Sequence, residues 1–264
     1  MSSPPVATAL ETALTGLAAR MKPPVLLVAL DFDGTLTPLR DDPDRSRILR
    51  SGVAALHRLA TRHGVEIALV SGRALADLHL RAEVPVGTHL VGSHGAERGV
   101  VTADGVDTVT VTLDAAQQSL LDKVGAALGV IARAREGVWV EHKPTAHVLH
   151  TRRASVADAE LAIAETRQLA VSLGTGLMRG KDIVELTVVP TTKGEALAQL
   201  RDELAATTVL FAGDDVTDEV AFESLGGTDI TIKVGAGSTK AHYRVRDPHE
   251  LCQALERLAD LVAG

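Results

Sequence analysis

An apolar run at positions 24–30, followed directly by two aspartates, constrains the fold of this chain more than any other feature. Such a run offers no polar side chain to solvent, which is typical of a strand buried on both faces in a parallel sheet covered by helices. Asp31 and Asp33 follow at i and i+2, so both side chains point to the same side where the strand should end. Because open α/β sheets bind ligands beyond the carboxyl ends of their strands, we expect this pair to meet a substrate or a metal.

The alternation of buried strands with helices continues to about residue 96 and resumes at Lys193. Between these parts, three hairpin patterns are separated by two helical patterns, which is typical of an α+β module on an antiparallel sheet. We predict an α/β fold: a Rossmann-like parallel-sheet core of residues 1–97 and 190–264, with an inserted α+β domain of residues 98–189. Predicted elements include strands at 25–30, 65–70, 89–92, 208–211 and 230–234, and helices at 48–62, 74–80, 115–133 and 156–173.

Composition excludes several classes of protein. The formal net charge of −7 argues against a general nucleic-acid surface. We expect no membrane partner, because no segment has the length of a transmembrane helix and the N-terminus lacks the basic region of a secretory signal. The single cysteine, Cys252, allows no intramolecular disulfide. We therefore expect a cytoplasmic protein, and we take it to be a monomer.

Acidic and polar residues follow several predicted core strands. If the strands ending at Asp31 and at Asp214 are neighbours, their carboxylates converge, and such crowding costs stability unless a cation occupies the site. Oxygen ligands without a histidine cluster favour Mg²⁺ over zinc or copper. The alternative interpretation is that these acids cap helices or lie on surface loops.

A metal-held carboxylate with a second carboxyl two residues later suits phosphoryl transfer. Asp31 would attack phosphorus and form an aspartyl-phosphate, while Asp33 would protonate the leaving oxygen and later deprotonate water. Lys193 would offset charge on the phosphoryl group, and Ser71 would donate a hydrogen bond to it. Arg73 would either anchor phosphate or pair with a nearby acid.

Four short segments carry a resemblance to a known superfamily. They are Asp31-Phe32-Asp33-Gly34-Thr35, Ser71-Gly72-Arg73, Thr192-Lys193-Gly194 and Gly213-Asp214-Asp215. In this order they resemble the motifs of the haloacid dehalogenase superfamily. The resemblance implies Mg²⁺ held by Asp31, by the backbone carbonyl of Asp33 and by Asp214, with Asp215 or Asp218 in support; we assign Asp215.

Further segments resemble the family of trehalose-6-phosphate phosphatases. They are the residues from Asp31 to Leu39, Gly92 to Glu97, Glu141 to Lys143 and Gly213 to Glu219. The resemblance implies a Mg²⁺-dependent phosphatase acting on a small sugar phosphate, and a cap domain that closes over the substrate. It also implies that Glu141, Lys143 and Glu185 bind the sugar or its phosphate. We assign His94 and Arg73 to substrate binding as well.

Other functions are compatible with the same residues. One is hydrolysis of another sugar phosphate, such as sucrose phosphate. A second is a phosphomutase similar to phosphomannomutase, which would return the phosphoryl group to sugar rather than to water. A third is a sugar-phosphate sensor without catalysis, which the intact set of Asp31, Asp33, Lys193 and Asp214 disfavours.

Overall fold

The computed structural model describes residues 6–20, 25–40, 42–109, 113–180, 182–189 and 192–263. The chain divides into two compact units. The first, here called the core unit, comprises Met1–Val109 and Thr191–Gly264, and the second, the inserted unit, comprises Thr110–Pro190. Residue 190, where we expected the core to resume, lies outside the described residues. Among the helices that the structure describes, none has the length and apolar character needed to cross a bilayer.

Strands and helices alternate along the chain. The strands are β1 Val25–Leu30, β2 Val65–Val70, β3 His89–Gly92, β4 Glu97–Thr102, β5 Gly105–Val109, β6 Trp139–His142, β7 Ala146–His150, β8 Gly176–Gly180, β9 Ile183–Thr187, β10 Ala206–Gly213, β11 Ile230–Val234 and β12 Tyr243–Val245. The helices are α1 Val6–Arg20, α2 Arg50–Ala60, α3 Leu75–Arg81, α4 Ala115–Arg133, α5 Val156–Leu173, α6 Lys193–Glu203, α7 Val216–Ser224 and α8 Pro248–Leu261. Short 3-10 turns lie at Pro43–Arg45 and Ser93–Gly95.

The core unit is built on one sheet with the strand order β12-β11-β10-β1-β2-β3-β4-β5. The strands from β12 to β3 run parallel. Alternate residues of β1 enter different hydrophobic clusters: Val28 and Leu30 face one, while Leu27 and Ala29 face the other. Helices α1, α2, α3 and α8 contribute to the first cluster, and α6 and α7 to the second. The prediction of a parallel sheet covered on both faces is confirmed.

The hairpin of β4 and β5 extends the core sheet, which corrects the predicted start of the inserted domain at residue 98. Strand β4 pairs antiparallel with β3, with His89 opposite Val100, and β5 pairs with β4. The alternating sequence identifies a half-buried hairpin but carries no information on which sheet the hairpin joins. The inserted unit begins only after Val109.

The inserted unit has a four-stranded antiparallel sheet in the order β6-β7-β9-β8. One face packs against α4 and α5, where Leu149, Val184 and Leu186 join the buried residues of the two helices. Residues of the opposite face therefore alternate with these along each strand. On that face Glu141 lies opposite Val148, and Val148 lies opposite Glu185.

Candidate active site

The acidic residues of the core unit meet where β1 ends beside β10. The two strands run parallel with Leu30 opposite Ala212, and the backbone N–H of Asp31 donates to the carbonyl of Ala212 at 2.9 Å. Parallel strands end at the same edge of a sheet. Carboxylate oxygens of Asp31, Asp214 and Asp218 consequently lie within 4.8 Å of one another.

Two glycines make this close approach possible. Gly34 has a φ of +76°, and a Cβ at this position would lie 2.1 Å from Oδ2 of Asp214. A Cβ at Gly213 would lie 2.2 Å from Cγ of Asp218. Any larger residue would push these carboxylates apart, which explains in physical terms why glycine follows Asp33 and precedes Asp214.

Lys193 supplies the positive charge of the cluster. Its Nζ donates to Oδ1 of Asp31 and to Oδ1 of Asp218, each at 2.7 Å, and the residue is only 3% exposed. It is the first residue of α6, which the Thr192 side chain caps by accepting from the N–H of Glu195. Since a helix dipole disfavours a cation at this end, the two carboxylates must stabilise the ammonium.

The cluster shifts the pKa values of its members. Burial raises the pKa of Asp31, and the ammonium of Lys193 opposes this effect, while the charges of Asp218 and Asp214 add to it. Burial also raises the pKa of Asp214. For Lys193, burial lowers the pKa, but attraction to Asp31 and Asp218 outweighs it and raises the pKa overall. The raised carboxyl pKa values indicate that Lys193 alone does not balance the negative charge of the cluster. This is the property expected of a cation site.

Asp33 has a different environment from Asp31. Its two carboxylate oxygens accept from Nε and Nη2 of Arg73 at 2.5 and 2.8 Å, and its side chain is 34% exposed. Hydrogen bonding to Asp33 raises the pKa of the Arg73 guanidinium further, although burial opposes this. We expected Arg73 either to anchor phosphate or to pair with a nearby acid, and in the structure it pairs with Asp33.

Ser71 and His94 lie beside these groups. The Ser71 Oγ accepts from the backbone N–H of Arg73 at 3.2 Å, and the backbone N–H of His94 donates to the Ser71 carbonyl at 3.0 Å. His94 has a φ of +56°, and its ring packs against Gly72, where a Cβ would lie 2.5 Å from Nε2. Burial lowers the pKa of His94, and Lys193 acts in the same direction, which favours the neutral ring.

All the site residues predicted in the core unit line one cleft of about 630 Å³. They are Asp31, Asp33, Ser71, Arg73, His94, Lys193, Asp214 and Asp215. Asp215 does not join the group of converging carboxylates. It is exposed, and its side chain caps α7 by accepting from the N–H of Val216. Asp218, fully buried and bonded to Lys193, occupies the place that we assigned to Asp215.

Two residues that we did not predict hold Asp214 in place. The Thr35 Oγ1 donates to Oδ1 of Asp214 at 3.3 Å. The Nζ of Lys233 donates to the backbone carbonyl of Asp214 at 2.6 Å and lies 3.3 Å from Oε1 of Glu219. A lysine between Ile232 and Val234 in strand β11 was the available signal, because a buried lysine requires a partner.

The three site residues predicted in the inserted unit lie on the sheet face opposite its helices. Lys143 Nζ donates to Oε2 of Glu185 at 2.9 Å, and Glu185 is only 6% exposed. Glu141 pairs instead with Nε2 of His150 at 2.8 Å. The ring of His150 stacks on Trp139, with centroids 4.6 Å apart. The structure thus brings Lys143 and Glu185 into direct contact and places Glu141 in a separate pair.

The donor set in the core unit fits a hard divalent cation. The three converging side chains offer only carboxylate oxygens, which are the ligands that Mg²⁺ prefers. Asp218 already accepts from Lys193 on one oxygen and from the N–H of Asp215 on the other. Asp31 and Asp214 are therefore the residues better suited to direct coordination.

Comparison with known proteins assigns a family. The sequence model of the family described as "Trehalose-phosphatase" matches residues 29–249. Trehalose-6-phosphate phosphatase of Escherichia coli K12 is 31% identical over 233 residues, covering 86% of this chain and 84% of the relative. A Mycobacterium tuberculosis protein named as an uncharacterized glycosyl hydrolase is 33% identical over 245 residues, covering 88% of this chain and 18% of the relative.

Solved structures include proteins with a similar fold. A haloacid dehalogenase-like hydrolase from Bacteroides thetaiotaomicron superposes with a TM-score of 0.65 at 16% identity, covering 88% of this chain and 99% of that one. The predicted fold, a parallel-sheet core with an inserted α+β domain, is confirmed. The chain spans less than two thirds of the length of the first mycobacterial relatives that it matches, 18% in one case and 61% in another.

Replacing Lys193 tests the charge balance of the site. In metal-free protein, we expect Lys193→Met to lower the free energy of unfolding by about 3–5 kcal/mol, because two buried carboxylates lose their cation. The folded-state pKa of Asp31 is already raised and would rise further, so its ionised form opposes folding more strongly at high pH. Denaturant unfolding should therefore give a larger loss at about pH 8 than at about pH 5.

The matched control is Lys240→Met, which removes an exposed ion pair with Glu223. We expect this control to cost about 1 kcal/mol or less at either pH. Equal losses for the two variants, or a larger Lys193→Met loss at acid pH, would contradict the proposed charge balance.

Proposed function

The chain belongs to the trehalose-phosphatase family, and we propose on that basis that it hydrolyses trehalose 6-phosphate to trehalose and phosphate. The observation that carries the chemistry is the position of Asp31 against Lys193 and Asp214, with Asp33 in the same cleft. The choice of sugar is supported by the family match, which extends through the inserted unit. We further propose a cytoplasmic monomer, in line with the composition.

The first step transfers the phosphoryl group to the protein. An oxygen of Asp31 attacks phosphorus, the bond from phosphorus to the sugar oxygen breaks, and Asp33 gives its proton to that oxygen. The products of this step are trehalose and an aspartyl-phosphate on Asp31. Lys193, Ser71 and the neutral ring of His94 face the same cleft, where hydrogen bonds from Lys193 and Ser71 would stabilise the phosphoryl oxygens.

The second step releases phosphate. Asp33, now a carboxylate, takes a proton from water, and the water oxygen attacks phosphorus as the bond to the Asp31 oxygen breaks. This returns Asp33 to its protonated form and Asp31 to its ionised form. Each turnover therefore uses Asp33 once as an acid and once as a base.

We propose Mg²⁺ as the cofactor, held by the side chains of Asp31 and Asp214 and by the backbone carbonyl of Asp33. When bound, it would neutralise carboxylate charge and polarise the phosphoryl group. Asp218 would support the site through its bond to Lys193, and Thr35 and Lys233 would fix Asp214.

Sugar recognition is proposed to depend on the inserted unit, which would act as a substrate-specificity domain. Glu141, Lys143 and Glu185 are the candidates for contacts with sugar hydroxyls or phosphate. The proposal is supported by their position and charge. They lie on the sheet face opposite the helices, and charged groups there could bind sugar hydroxyls through charge-assisted hydrogen bonds. With one tryptophan and one tyrosine in the whole chain, aromatic stacking offers little alternative.

The function is tested by incubating the protein with Mg²⁺ and the 6-phosphates of trehalose, glucose and mannose, and with sucrose phosphate. We expect release of inorganic phosphate to be fastest from trehalose 6-phosphate. Asp31→Asn should reduce it below detection, because the amide is not a nucleophile for phosphorus. Faster release from another sugar phosphate would replace the proposed substrate, and isomerised sugar phosphate without free phosphate would indicate a mutase.

Two neighbouring aspartates distinguish the metal ligands. Mg²⁺ should raise the midpoint of thermal unfolding of the unaltered protein, since a ligand that binds the folded state stabilises it. Asp214→Asn should lose most of this increase, whereas Asp215→Asn should keep it, although both remove one charge from the same loop. Loss in Asp215→Asn with retention in Asp214→Asn would reverse the assignment.

Substrate contacts in the inserted unit are tested by kinetics. We expect Glu141→Ala and Lys143→Ala to raise KM for trehalose 6-phosphate roughly tenfold, the loss of a charge-assisted hydrogen bond. The KM for p-nitrophenyl phosphate, which lacks the sugar, should change little. Glu160→Ala on the exposed surface of α5 is the control and should affect neither substrate. Equal effects of Glu141→Ala on both substrates would argue for a structural role.

A further inference from the structure

Most N–H groups of the Arg73 guanidinium donate to neighbouring groups of the core unit. Besides the two bonds to Asp33, its Nη1 donates to Oδ2 of Asp77 at 2.6 Å and its Nη2 donates to the carbonyl of Pro43 at 2.9 Å. Its Cζ lies 5.4 Å from the centroid of the Phe32 ring, and the side chain is only 11% exposed. Such an arginine has little capacity left to bind a substrate.

The ion pairs continue beyond Arg73 through Asp77 and Arg81 of α3. Asp77, four residues later, also accepts from Nε of Arg81 through its other oxygen, at 2.7 Å. Arg81 in turn contacts Oδ1 of Asp44 at 2.6 Å. Carboxylates and guanidinium groups therefore alternate from Asp44 through Arg81, Asp77 and Arg73 to Asp33. Asp77 and Arg81 are four residues apart and share a face of α3, while Arg73 lies just before the helix begins.

We propose that Arg73 is a positioning residue for the acid–base carboxyl of Asp33, and that Asp77 acts through Arg73 by holding its guanidinium in place. The inference rests on the proposed function, which gives Asp33 its role in proton transfer. It replaces the substrate-binding role predicted for Arg73. Asp77 has no predicted role and reaches Asp33 only through Arg73 in the bonds described.

The reason for such an arrangement is geometric. Asp33 lies in a loop after β1 and is a third exposed, so its carboxyl would otherwise sample several rotamers. The planar guanidinium contacts both oxygens at once and thereby fixes the plane of the carboxyl as well as its position. Proton transfer requires a fixed carboxyl position, because small displacements of a catalytic group lower the reaction rate by large factors.

Leaving groups of different basicity provide the test. Phenyl phosphate releases a more basic oxygen than p-nitrophenyl phosphate, so its reaction depends more on protonation by Asp33. In Arg73→Lys and in Asp77→Asn, we expect kcat/KM for phenyl phosphate to fall by about 10-fold to 100-fold, the cost of a misplaced catalytic group. The fall for p-nitrophenyl phosphate should be several times smaller. Arg73→Lys keeps the positive charge but loses the planar fork.

The control is Arg98→Lys, which breaks a similar double contact with Glu203 in the core unit, away from the cleft. It should lower thermal stability as the test variants do but change both esters equally. Equal losses on the two esters in Arg73→Lys and Asp77→Asn would overturn the positioning role while leaving the phosphatase function intact. An unaltered protein inactive on every phosphate ester would overturn the proposed function and this inference together.

Discussion

The buried contact of one ammonium with two carboxylates is the interaction on which the site depends. Lys193 bonds Asp31 and Asp218 with almost no exposure to solvent, and Asp214 lies in the same group. Removing ions from water is expensive, and it is compensated only when geometry and charge match closely. Here one positive charge faces three potential negative charges. The fold therefore brings together a site that lacks positive charge, and this deficit makes it suited to a divalent cation.

Backbone features of the core sheet create that contact. The register of β1 and β10 sets Asp31 beside the start of the loop that carries Asp214. Thr192 and Asp215 begin α6 and α7 with capping boxes, which place Lys193 and Asp218 in the first turns of these helices. Asp215 thus contributes by starting a helix rather than by joining the carboxylate group. Asp218, three residues later, completes the capping box and also joins the carboxylate group through its bond to Lys193.

Elements with strong periodicity were predictable from the sequence. The expected strands at 25–30 and 65–70 and helices at 115–133 and 156–173 agree with the structure at both ends. The three-residue strand β12 was missed, because so short an edge segment has no period to detect. The hairpin of β4 and β5 was recognised but assigned to the wrong sheet. Contacts between distant loops, such as Arg73 with Asp33, carry no local pattern, so the sequence offered two roles for Arg73 without a means of choosing.

The two aspartates at the end of β1 differ in surroundings more than their spacing suggests. The Asp31 side chain is 6% exposed and bonds an ammonium, whereas that of Asp33 is 34% exposed and bonds a guanidinium. Different environments are how two carboxyl groups in one site acquire different tasks. The buried group, close to Lys193 and Asp214, suits attack on phosphorus with charge compensated around it. In the proposed mechanism, the more exposed group would transfer the proton, with its carboxyl oriented by the contacts to Arg73. In the proposed mechanism, one short motif would supply two chemical functions, because its two aspartates lie in unlike surroundings.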